Sequence, residues 1–250
     1  MILVCNGDSW TQGDNPAQDI NWNAKKNLDW YSIPKNFGWE EGNIADRILY
    51  KFYDSNVWPK LLGKKFNFNT INAGRLGDDN FNISYRTVNI LSKLLKEGKK
   101  DILVIIGWTS PIRLNSFTID KNNKIENSQI RLATLSDQNL NNTILAESRS
   151  IFYYLNLQNF CESHNIRYVF FNAFDGIKSL NEYTMGKFIN KEKWIEKDLS
   201  VGHFKELIEK HSDRYWTENN RYFRTMHPTD FSHKIWSDYL FSYITNNNLI

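Results

Sequence analysis

The strongest constraint on the fold is a series of short apolar runs separated by segments with helical periodicity. Residues 101–106 read Asp-Ile-Leu-Val-Ile-Ile, a β-branched run typical of a strand that is covered on both faces. Residues 1–6, 68–72 and 167–172 are further apolar runs of strand length. Because strands that alternate with helices form parallel sheets with right-handed crossovers, we predict an α/β fold. More specifically, we predict a three-layer α/β/α sandwich with a flavodoxin-like parallel sheet.

The segments between the predicted strands divide into helices and irregular stretches. Apolar residues recur at helical spacing in the predicted helices, which cover residues 44–53, 58–65, 78 or 79 to about 95, 141–164 and 229–244. Residues 114–135 alternate over short pieces and predict a small hairpin, whereas residues 179–220 are mixed, with helical pieces around residues 202–211. Residues 10–43 are rich in Asn, Asp, Trp and Gly and predict a long loop or cap insertion, a kind of segment that is often functional.

The size and charge of the chain fit one globular domain that spans residues 1–250. The 31 basic and 28 acidic residues are interspersed, with a net charge of +3, so no nucleic-acid partner is predicted. No apolar run reaches membrane-spanning length. Because the sequence starts directly with strand residues, we expect no signal peptide and a cytoplasmic location. The abundance of Asn, Lys and Ile indicates an AT-rich genome, which makes a viral or phage origin one alternative. The oligomeric state stays open.

The sequence predicts neither a cofactor nor a metal site. Cys5 falls in the first predicted strand and Cys161 in a predicted helix, and we expect both to be small buried side chains. No group of His, Asp and Glu has the spacing of metal ligands, and the glycines of residues 72–80 are not followed by the Gly-Lys-Ser or Gly-Lys-Thr of a phosphate loop.

Polar residues follow the predicted strands at four places, and they carry the functional prediction. These segments are Gly7-Asp8-Ser9-Trp10-Thr11-Gln12-Gly13, Asn72-Ala73-Gly74-Arg75-Leu76-Gly77-Asp78-Asp79-Asn80, Gly107-Trp108-Thr109-Ser110, and His227-Pro228 before the last helix. In an open α/β sheet the loops at the carboxyl ends of the strands meet in one crevice. Acyl transfer needs a hydroxyl that a nearby imidazole deprotonates. Ser9 and His227 in these positions therefore predict a serine hydrolase.

These four blocks, in this order along nearly the whole chain, resemble the SGNH, or GDSL-like, hydrolases. The resemblance implies that Ser9 is the nucleophile and His227 the general base. It also implies that the backbone N–H groups of Gly77 and Ser9 form the oxyanion hole, the arrangement that stabilises a tetrahedral intermediate. Glycine suits position 77 because the substrate oxygen must come close to the backbone. Asp8 is expected mainly to organise the turn.

Two positions depart from the family pattern. Thr109 stands where the family has an asparagine that donates to the oxyanion, so Thr109 or Ser110 is the expected replacement. Arg224 stands where the family has the aspartate that orients the histidine, and a guanidinium cannot accept a hydrogen bond. A backbone carbonyl, Asp230, Asp213 or another carboxylate are the alternative acceptors, and a Ser–His dyad is a further possibility.

By resemblance, the substrates are small acyl esters, with O-acetyl groups on glycans as the favoured class. The segment from Trp10 to Trp39 is expected to supply a wall on which a substrate stacks, because Trp and Tyr suit sugar rings and acyl groups. The residues assigned to substrate binding are Asp8, Trp10, Trp108, Ser110 and Arg113. Arg113 is expected to hold a substrate carboxylate or a developing anion, with a surface ion pair as the alternative.

Other readings of the same residues remain. A non-catalytic module that binds a carbohydrate or an acyl ligand is the alternative function, and Arg224 and Thr109 are the features in its favour. His203 and His211 are predicted to be solvated, and His233 is predicted to pack against the sheet.

Overall fold

The computed structural model describes residues 1–13, 57–75, 77–119, 125–131, 140–178, 180–210, 223–224, 227–228 and 230–249. For residues 9, 114–119, 125–131, 140–142, 223–224, 227 and 230 the description covers the backbone only. Most of the predicted loop at residues 10–43, the predicted helix at residues 44–53, His211 and Asp213 lie outside the described residues.

The described elements follow the predicted alternation of strands and helices. In chain order they are β1 (Ile2–Gly7), α1 (Ser9–Gln12), α2 (Trp58–Phe66), β2 (Asn69–Asn72), α3 (Asn80–Lys96), β3 (Ile102–Trp108), β4 (Arg113–Ile119), β5 (Ile125–Arg131), α4 (Leu140–Ser163), β6 (Arg167–Asn172), α5 (His203–Glu209), β7 (Phe223–Arg224), β8 (His227–Pro228) and α6 (Asp230–Asn246). Four short 3-10 turns connect β6 to α5: Leu180–Glu182, Thr184–Phe188, Lys191–Lys193 and Ile195–Lys197.

The main sheet is parallel, as predicted. Its four described strands lie in the order β2-β1-β3-β6, which is the start of the flavodoxin-like order. In the register of the sheet, Ile2 pairs with Asn69 on one side and with Ile102 on the other, and Leu103 pairs with Arg167. The predicted hairpin is also confirmed, because β4 and β5 pair in antiparallel fashion.

Both faces of the sheet are covered, which gives three layers. Along β3 every residue is buried, and alternate side chains enter different core clusters. Val104 and its neighbours on one face pack against α3 and α4, while Ile105 on the other face packs with α2, α5 and α6. This alternation is what the two-residue period of a strand requires when both faces are covered.

Local sequence signals explain where the helices begin and end. The side chain of Asp79 accepts a hydrogen bond from the backbone N–H of Asn82 and so caps the start of α3. Pro59 lies in the first turn of α2, where its missing N–H leaves no partner unsatisfied. Asn67 ends α2 in the left-handed conformation, with a φ of 55°.

The predicted burial of the two cysteines is confirmed, whereas the predicted loop at residues 10–12 is wrong. Cys5 and Cys161 are buried, and burial raises the pKa of both thiols, to about 12 for Cys161. Residues 10–12, which were predicted as part of a loop, instead continue the short helix α1. None of the described helices combines the length and apolarity that crossing a membrane would need.

Candidate active site

Three of the four sequence blocks meet at the carboxyl edge of the parallel sheet. Gly7, the last residue of β1, pairs with Gly107 of β3, so the first and third blocks emerge side by side. Asn72, the last residue of β2, pairs with Cys5 on the other side of β1. The predicted crevice position of these blocks is therefore correct.

The second block is fixed onto the first by backbone contacts. The N–H of Ala73 donates to the carbonyl of Cys5 at 2.8 Å, and the N–H of Arg75 donates to the carbonyl of Gly7 at 3.1 Å. A Cβ atom on Gly74 would lie 2.6 Å from the backbone nitrogen of Gln12, so only glycine allows this approach.

Gly77 adopts the left-handed conformation, with a φ of +77°. Most residues with a Cβ avoid this conformation, and glycine does not. Its backbone turns at the point where the chain leaves the sheet edge and enters α3. The role of its N–H as an oxyanion donor stays a prediction.

The two ends of the chain approach each other at the same edge. Cα atoms of α1, which begins at Ser9, lie within 8 Å of Cα atoms of β8, which begins at His227. In the small β7–β8 ladder, Arg224 lies directly opposite His227. Because only the backbones of these three residues are described, the Ser9–His227 pair stays a prediction.

Asp8 is fully buried, and its carboxylate collects donors from separate parts of the chain. Its Oδ1 accepts the N–H of Trp10 at 3.0 Å, which helps to cap α1. Its Oδ2 accepts the hydroxyl of Thr109 at 3.0 Å and Nη1 of Arg113 at 2.8 Å. Asp8 thus ties the turn around Ser9 to the loop after β3, which confirms its expected role in organising the turn. Because both oxygens already accept hydrogen bonds within the chain, its assignment to substrate binding stays a prediction.

Arg113 forms an ion pair in the interior rather than on the surface. Its side chain is 19% exposed, and its partner Asp8 is fully buried. The guanidinium carbon also lies 5.5 Å from the ring centroid of Phe174, within the range of a cation–π contact. The surface ion pair considered for Arg113 is therefore corrected to a buried one, which neutralises the charge of Asp8.

Thr109 lies at the site, but its hydroxyl is used for a structural contact. The side chain is 1% exposed and donates to Asp8. In this arrangement the hydroxyl donates to Asp8 rather than to an oxyanion, and a role for Thr109 in the oxyanion hole stays a prediction. Ser110, which is half-buried, is the hydroxyl of the third block whose role stays a prediction.

Asn80 is a site residue that the sequence analysis missed. Its Nδ2 donates to the carbonyl of Thr109 at 3.1 Å, and its Oδ1 accepts the N–H of Thr109 at 3.0 Å. The same Nδ2 also lies 3.1 Å from the hydroxyl oxygen of Ser150 on α4. The amide thereby holds the third block by its backbone. The sequence signal for this role was the position of Asn80, a polar residue directly after Asp78 and Asp79 at the start of a predicted helix.

The two described tryptophans assigned to the site are core residues. Trp108 is fully buried, and its ring lies 4.6 Å from that of Tyr154 and 5.4 Å from that of Phe170. Trp10 is 5% exposed, and its ring lies 4.2 Å from that of Phe174. Neither ring presents a face to solvent in this structure, and their assignment to substrate binding stays a prediction. The remaining tryptophans of the proposed wall lie outside the described residues.

A second buried ion pair lies next to the second block. Arg86 of α3 pairs with Asp78 and donates to the carbonyl of Ala73 at 2.9 Å. Burial raises the pKa of Asp78, while the hydrogen bond and charge of Arg86 oppose the rise. Arg86 also donates to Oδ1 of Asn6 at 3.3 Å, so it connects β1, the second block and α3.

His203 is buried, and the prediction that it is solvated is wrong. Its Nδ1 accepts the backbone N–H of Asn172 at the end of β6, at 3.2 Å, and the backbones of Ile195 and Asp198 lie against it. Burial lowers the pKa of its imidazole below the ordinary value of 6.5. The physical reason for the burial is that the 3-10 turns before α5 cover the ring.

His233 is buried, and its described contacts are with helices rather than with the sheet against which it was predicted to pack. Its Nδ1 accepts the backbone N–H of Trp58 at the start of α2, at 3.4 Å. Its ring lies 5.9 Å from that of Phe204 on α5. Across the described ranges, no group of three or more His, Cys, Asp or Glu side chains is arranged to hold a metal ion.

Replacing Arg113 with methionine is expected to destabilise the fold by about 3–5 kcal/mol, because a buried carboxylate then loses its counter-charge. The double variant Asp8→Asn with Arg113→Met is expected to recover most of this loss. Urea unfolding monitored by circular dichroism measures both. Arg167→Met is the matched control, since Arg167 pairs with the exposed Asp101 and should contribute less than about 1 kcal/mol. Equal losses in Arg113→Met and Arg167→Met would contradict a buried role for the Asp8–Arg113 pair.

The buried His203 is expected to make the protein less stable as the pH falls below about 6.5. The unfolded chain then binds a proton that the folded imidazole, with its lowered pKa, does not bind, so the contribution is present above 6.5 and is lost through the folded pKa. Unfolding free energies measured between pH 7.5 and pH 5 should therefore decline less in His203→Gln than in the parent. His164→Gln changes an exposed histidine and should keep the parental slope. A parental slope in His203→Gln would be the contrary result.

Comparison with known proteins finds similarity in structure only. No protein-family model and no curated protein matches the sequence. Similar solved structures include a lipolytic protein of the G-D-S-L family from Desulfitobacterium hafniense DCB-2, at 12% identity over 100% of this chain and 99% of that chain, with a TM-score of 0.40. The psychrotrophic esterase EstA from Pseudoalteromonas sp. is 11% identical over 98% of this chain and 97% of that chain, with a TM-score of 0.46.

A third similar structure is an acetyl xylan esterase from the rumen bacterium Butyrivibrio proteoclasticus. It is 13% identical over 99% of this chain, with a TM-score of 0.49, and the match spans 64% of that esterase. With TM-scores below 0.5, none of these three matches carries an argument about function. In its parallel sheet, with the sequence blocks at the carboxyl edge, the chain resembles the SGNH, or GDSL-like, hydrolases.

Proposed function

We propose that the protein is a serine esterase that hydrolyses small acyl esters through an acyl-enzyme on Ser9, with His227 as the general base. The observation that supports this proposal most directly is the contact between α1, which begins at Ser9, and the His227–Pro228 strand. Ser9 and His227 lie near opposite ends of the sequence. Nucleophile and base must share a proton, so their backbones have to approach in this way.

The proposed reaction has two steps that conserve atoms and charge. In the first, the Ser9 oxygen bonds to the ester carbon, its proton passes to His227, and the C–O bond to the alcohol breaks as His227 returns that proton to the leaving oxygen. In the second, water attacks the acyl-enzyme while His227 takes its proton. Release of the acid then returns the proton to Ser9.

The oxyanion formed in both steps is expected to bind backbone N–H groups of Ser9 and Gly77. Ser9 is the first residue of α1, and N–H groups in the first turn have no partner within their helix. Gly77 has no Cβ, so a substrate oxygen can come close to its backbone N–H. Each fixed donor is worth roughly 3 kcal/mol in the transition state. Ser110 is the candidate for a further donor, now that Thr109 is bonded to Asp8.

The favoured substrates are O-acetyl groups, in particular on glycans. The site requires neither a metal nor an organic cofactor for this chemistry. Arg224 lies opposite His227 and cannot accept its ring proton, so we infer a Ser–His dyad or a different acceptor. Loss of the third triad member costs up to roughly 10⁴ in rate, so we expect slow turnover.

A fluorophosphonate probe tests the proposed nucleophile. We expect labelling of the parent protein, loss of labelling in Ser9→Ala, and weaker labelling in His227→Ala, with the modified peptide located by mass spectrometry. Ser163→Ala and His164→Ala change exposed residues on and just after α4 and serve as matched controls. Absence of labelling, together with no turnover of p-nitrophenyl acetate, would overturn the esterase and favour a module that only binds its ligand.

Replacing Arg224 with aspartate tests whether the orienting group is the missing part. Because residue 224 lies opposite residue 227 in the ladder, a carboxylate there is expected to orient the imidazole and raise kcat for p-nitrophenyl acetate at least tenfold. Arg224→Asn removes the cation without adding a carboxylate, and it should give a much smaller increase. Equal rates in Arg224→Asp and Arg224→Asn would show that the charge of the arginine, rather than a missing acceptor, limits the reaction.

A further inference from the structure

The turn that contains Gly77 sets the direction of its backbone N–H. The N–H of Asp78 donates to the carbonyl of Arg75 at 3.3 Å, which makes Gly77 the third residue of a four-residue turn. Its φ of +77° is what a type II turn requires at this position. The N–H of the third residue belongs to the middle peptide of the turn, and the orientation of this peptide distinguishes type II from type I. Whatever holds the turn in this form therefore also aims the Gly77 N–H.

The Gly77 N–H is a donor that has no acceptor in the part of the chain that the structure describes. Gly77 is nevertheless buried, and buried backbone N–H groups are nearly always paired. A donor that the fold leaves without a partner at the carboxyl edge of the sheet is suited to an oxygen of a ligand. This is the role that the proposed function assigns to it.

Arg86 of α3 contacts the chain on both sides of this turn. Its Nη1 donates at 2.9 Å to the carbonyl of Ala73, which precedes the turn, and pairs with the carboxylate of Asp78, which ends the turn. The Arg86 side chain is 17% exposed and that of Asp78 is 9% exposed, so solvent screens this ion pair only weakly. One guanidinium group thus holds the segment before the turn and the last residue of the turn.

The same nitrogen also connects the turn to β1. Nη1 of Arg86 donates to Oδ1 of Asn6 at 3.3 Å, and this oxygen also accepts the N–H of Gly7 at 2.8 Å. Asn6 is fully buried, and Gly7 is the last residue of β1. The contacts of Arg86 therefore extend to the end of the strand from which the chain continues into Ser9.

We propose that Arg86 is a positioning residue for the oxyanion hole, because it holds Ala73 and Asp78 on either side of the turn and so fixes the direction of the Gly77 N–H. The use of this N–H for an oxyanion rests on the proposed esterase function, whereas the hold of Arg86 on the turn does not. A single nitrogen, Nη1, makes the contacts with Asn6, Ala73 and Asp78. A lysine ammonium at position 86 can therefore replace it, and a methionine cannot.

Turnover of p-nitrophenyl acetate and of its thiono analogue, in which sulfur replaces the carbonyl oxygen, tests this role. Sulfur accepts hydrogen bonds only weakly, so loss of an oxyanion donor slows the ester more than the thionoester. We expect Arg86→Met to lower kcat for the ester at least about tenfold at an unchanged KM, and to lower the ratio of the ester rate to the thionoester rate. Arg86→Lys should retain the parental ratio.

Two matched controls separate positioning from a general loss of stability. Thr87→Val removes a hydroxyl of the same buried network, which accepts Nδ2 of Asn6 at 2.9 Å, and leaves the contacts of Arg86 with the turn in place. Arg167→Met removes an arginine that pairs with an aspartate at the start of β6. Both variants should keep the parental ratio of ester to thionoester rates. All rates are measured at a temperature where circular dichroism shows that each variant is folded.

The amide signal of Gly77 gives a second readout, which does not depend on turnover. In proton–nitrogen correlation spectra of the full chain, Arg86→Met is expected to shift this signal, because the turn loses its anchor. Arg86→Lys and Arg167→Met should leave the signal close to its parental position.

A parental rate ratio in Arg86→Met, or a Gly77 signal that does not respond to this change, would overturn the positioning role. An equal fall of the ratio in Thr87→Val would attribute the effect to the packing of the network and would overturn it as well. A parent protein that turns over neither ester and takes no fluorophosphonate label would refute the oxyanion role together with the esterase. A shifted Gly77 signal in Arg86→Met would in that case keep the hold of Arg86 on the turn.

Discussion

The burial of the Asp8 carboxylate is the constraint on which the candidate site depends. A charge that is taken out of water costs several kcal/mol unless a counter-charge and hydrogen-bond donors replace its hydration. Here the replacements are the guanidinium of Arg113, the hydroxyl of Thr109 and the N–H of Trp10. These groups come from α1, from the loop after β3 and from the start of β4, so the charge can be buried only when all three segments are in place.

The blocks that resemble a catalytic signature act largely through packing in the described structure. Gly74 allows the backbone of the second block to touch that of α1, and Gly77 accepts a left-handed turn before α3. Asn80 binds both main-chain groups of Thr109 and so fixes the third block from the second. Polar contacts connect the three blocks at the carboxyl edge of the sheet. Arg86 adds to them by donating hydrogen bonds to the carbonyl of Ala73 and to Oδ1 of Asn6. The fold can therefore require a residue of these blocks even when that residue does not contact a substrate.

Much of the fold could be predicted from the sequence because its signals are local. The β-branched run at residues 101–106 and the run at Arg167–Asn172 give strands in the structure with nearly the predicted bounds. The buried position of Trp108 was also predictable, because alternate positions from Ile102 onward along β3 face the same core cluster. The prediction for His203 was wrong because its burial is non-local. The residues next to it in the sequence do not signal burial, and the 3-10 turns that cover it have no apolar periodicity.

The ion pair of Asp8 with Arg113 could not be predicted for a similar reason. The two residues lie 105 positions apart, and no pattern in the sequence couples a carboxylate after the first strand to one particular cation. A guanidinium near an altered block suggested a contact with a substrate, and only the folded geometry reveals that an interior charge needs it.

The two halves of the candidate site are built differently, and this difference bears on the rate of any reaction there. The half that contains Ser9 is held by the buried carboxylate of Asp8 with several donors, so the geometry of this half is costly to disturb. The base half is held by a two-residue ladder in which Arg224 faces His227. Position 224 thus lies beside position 227 through the backbone pairing of β7 and β8.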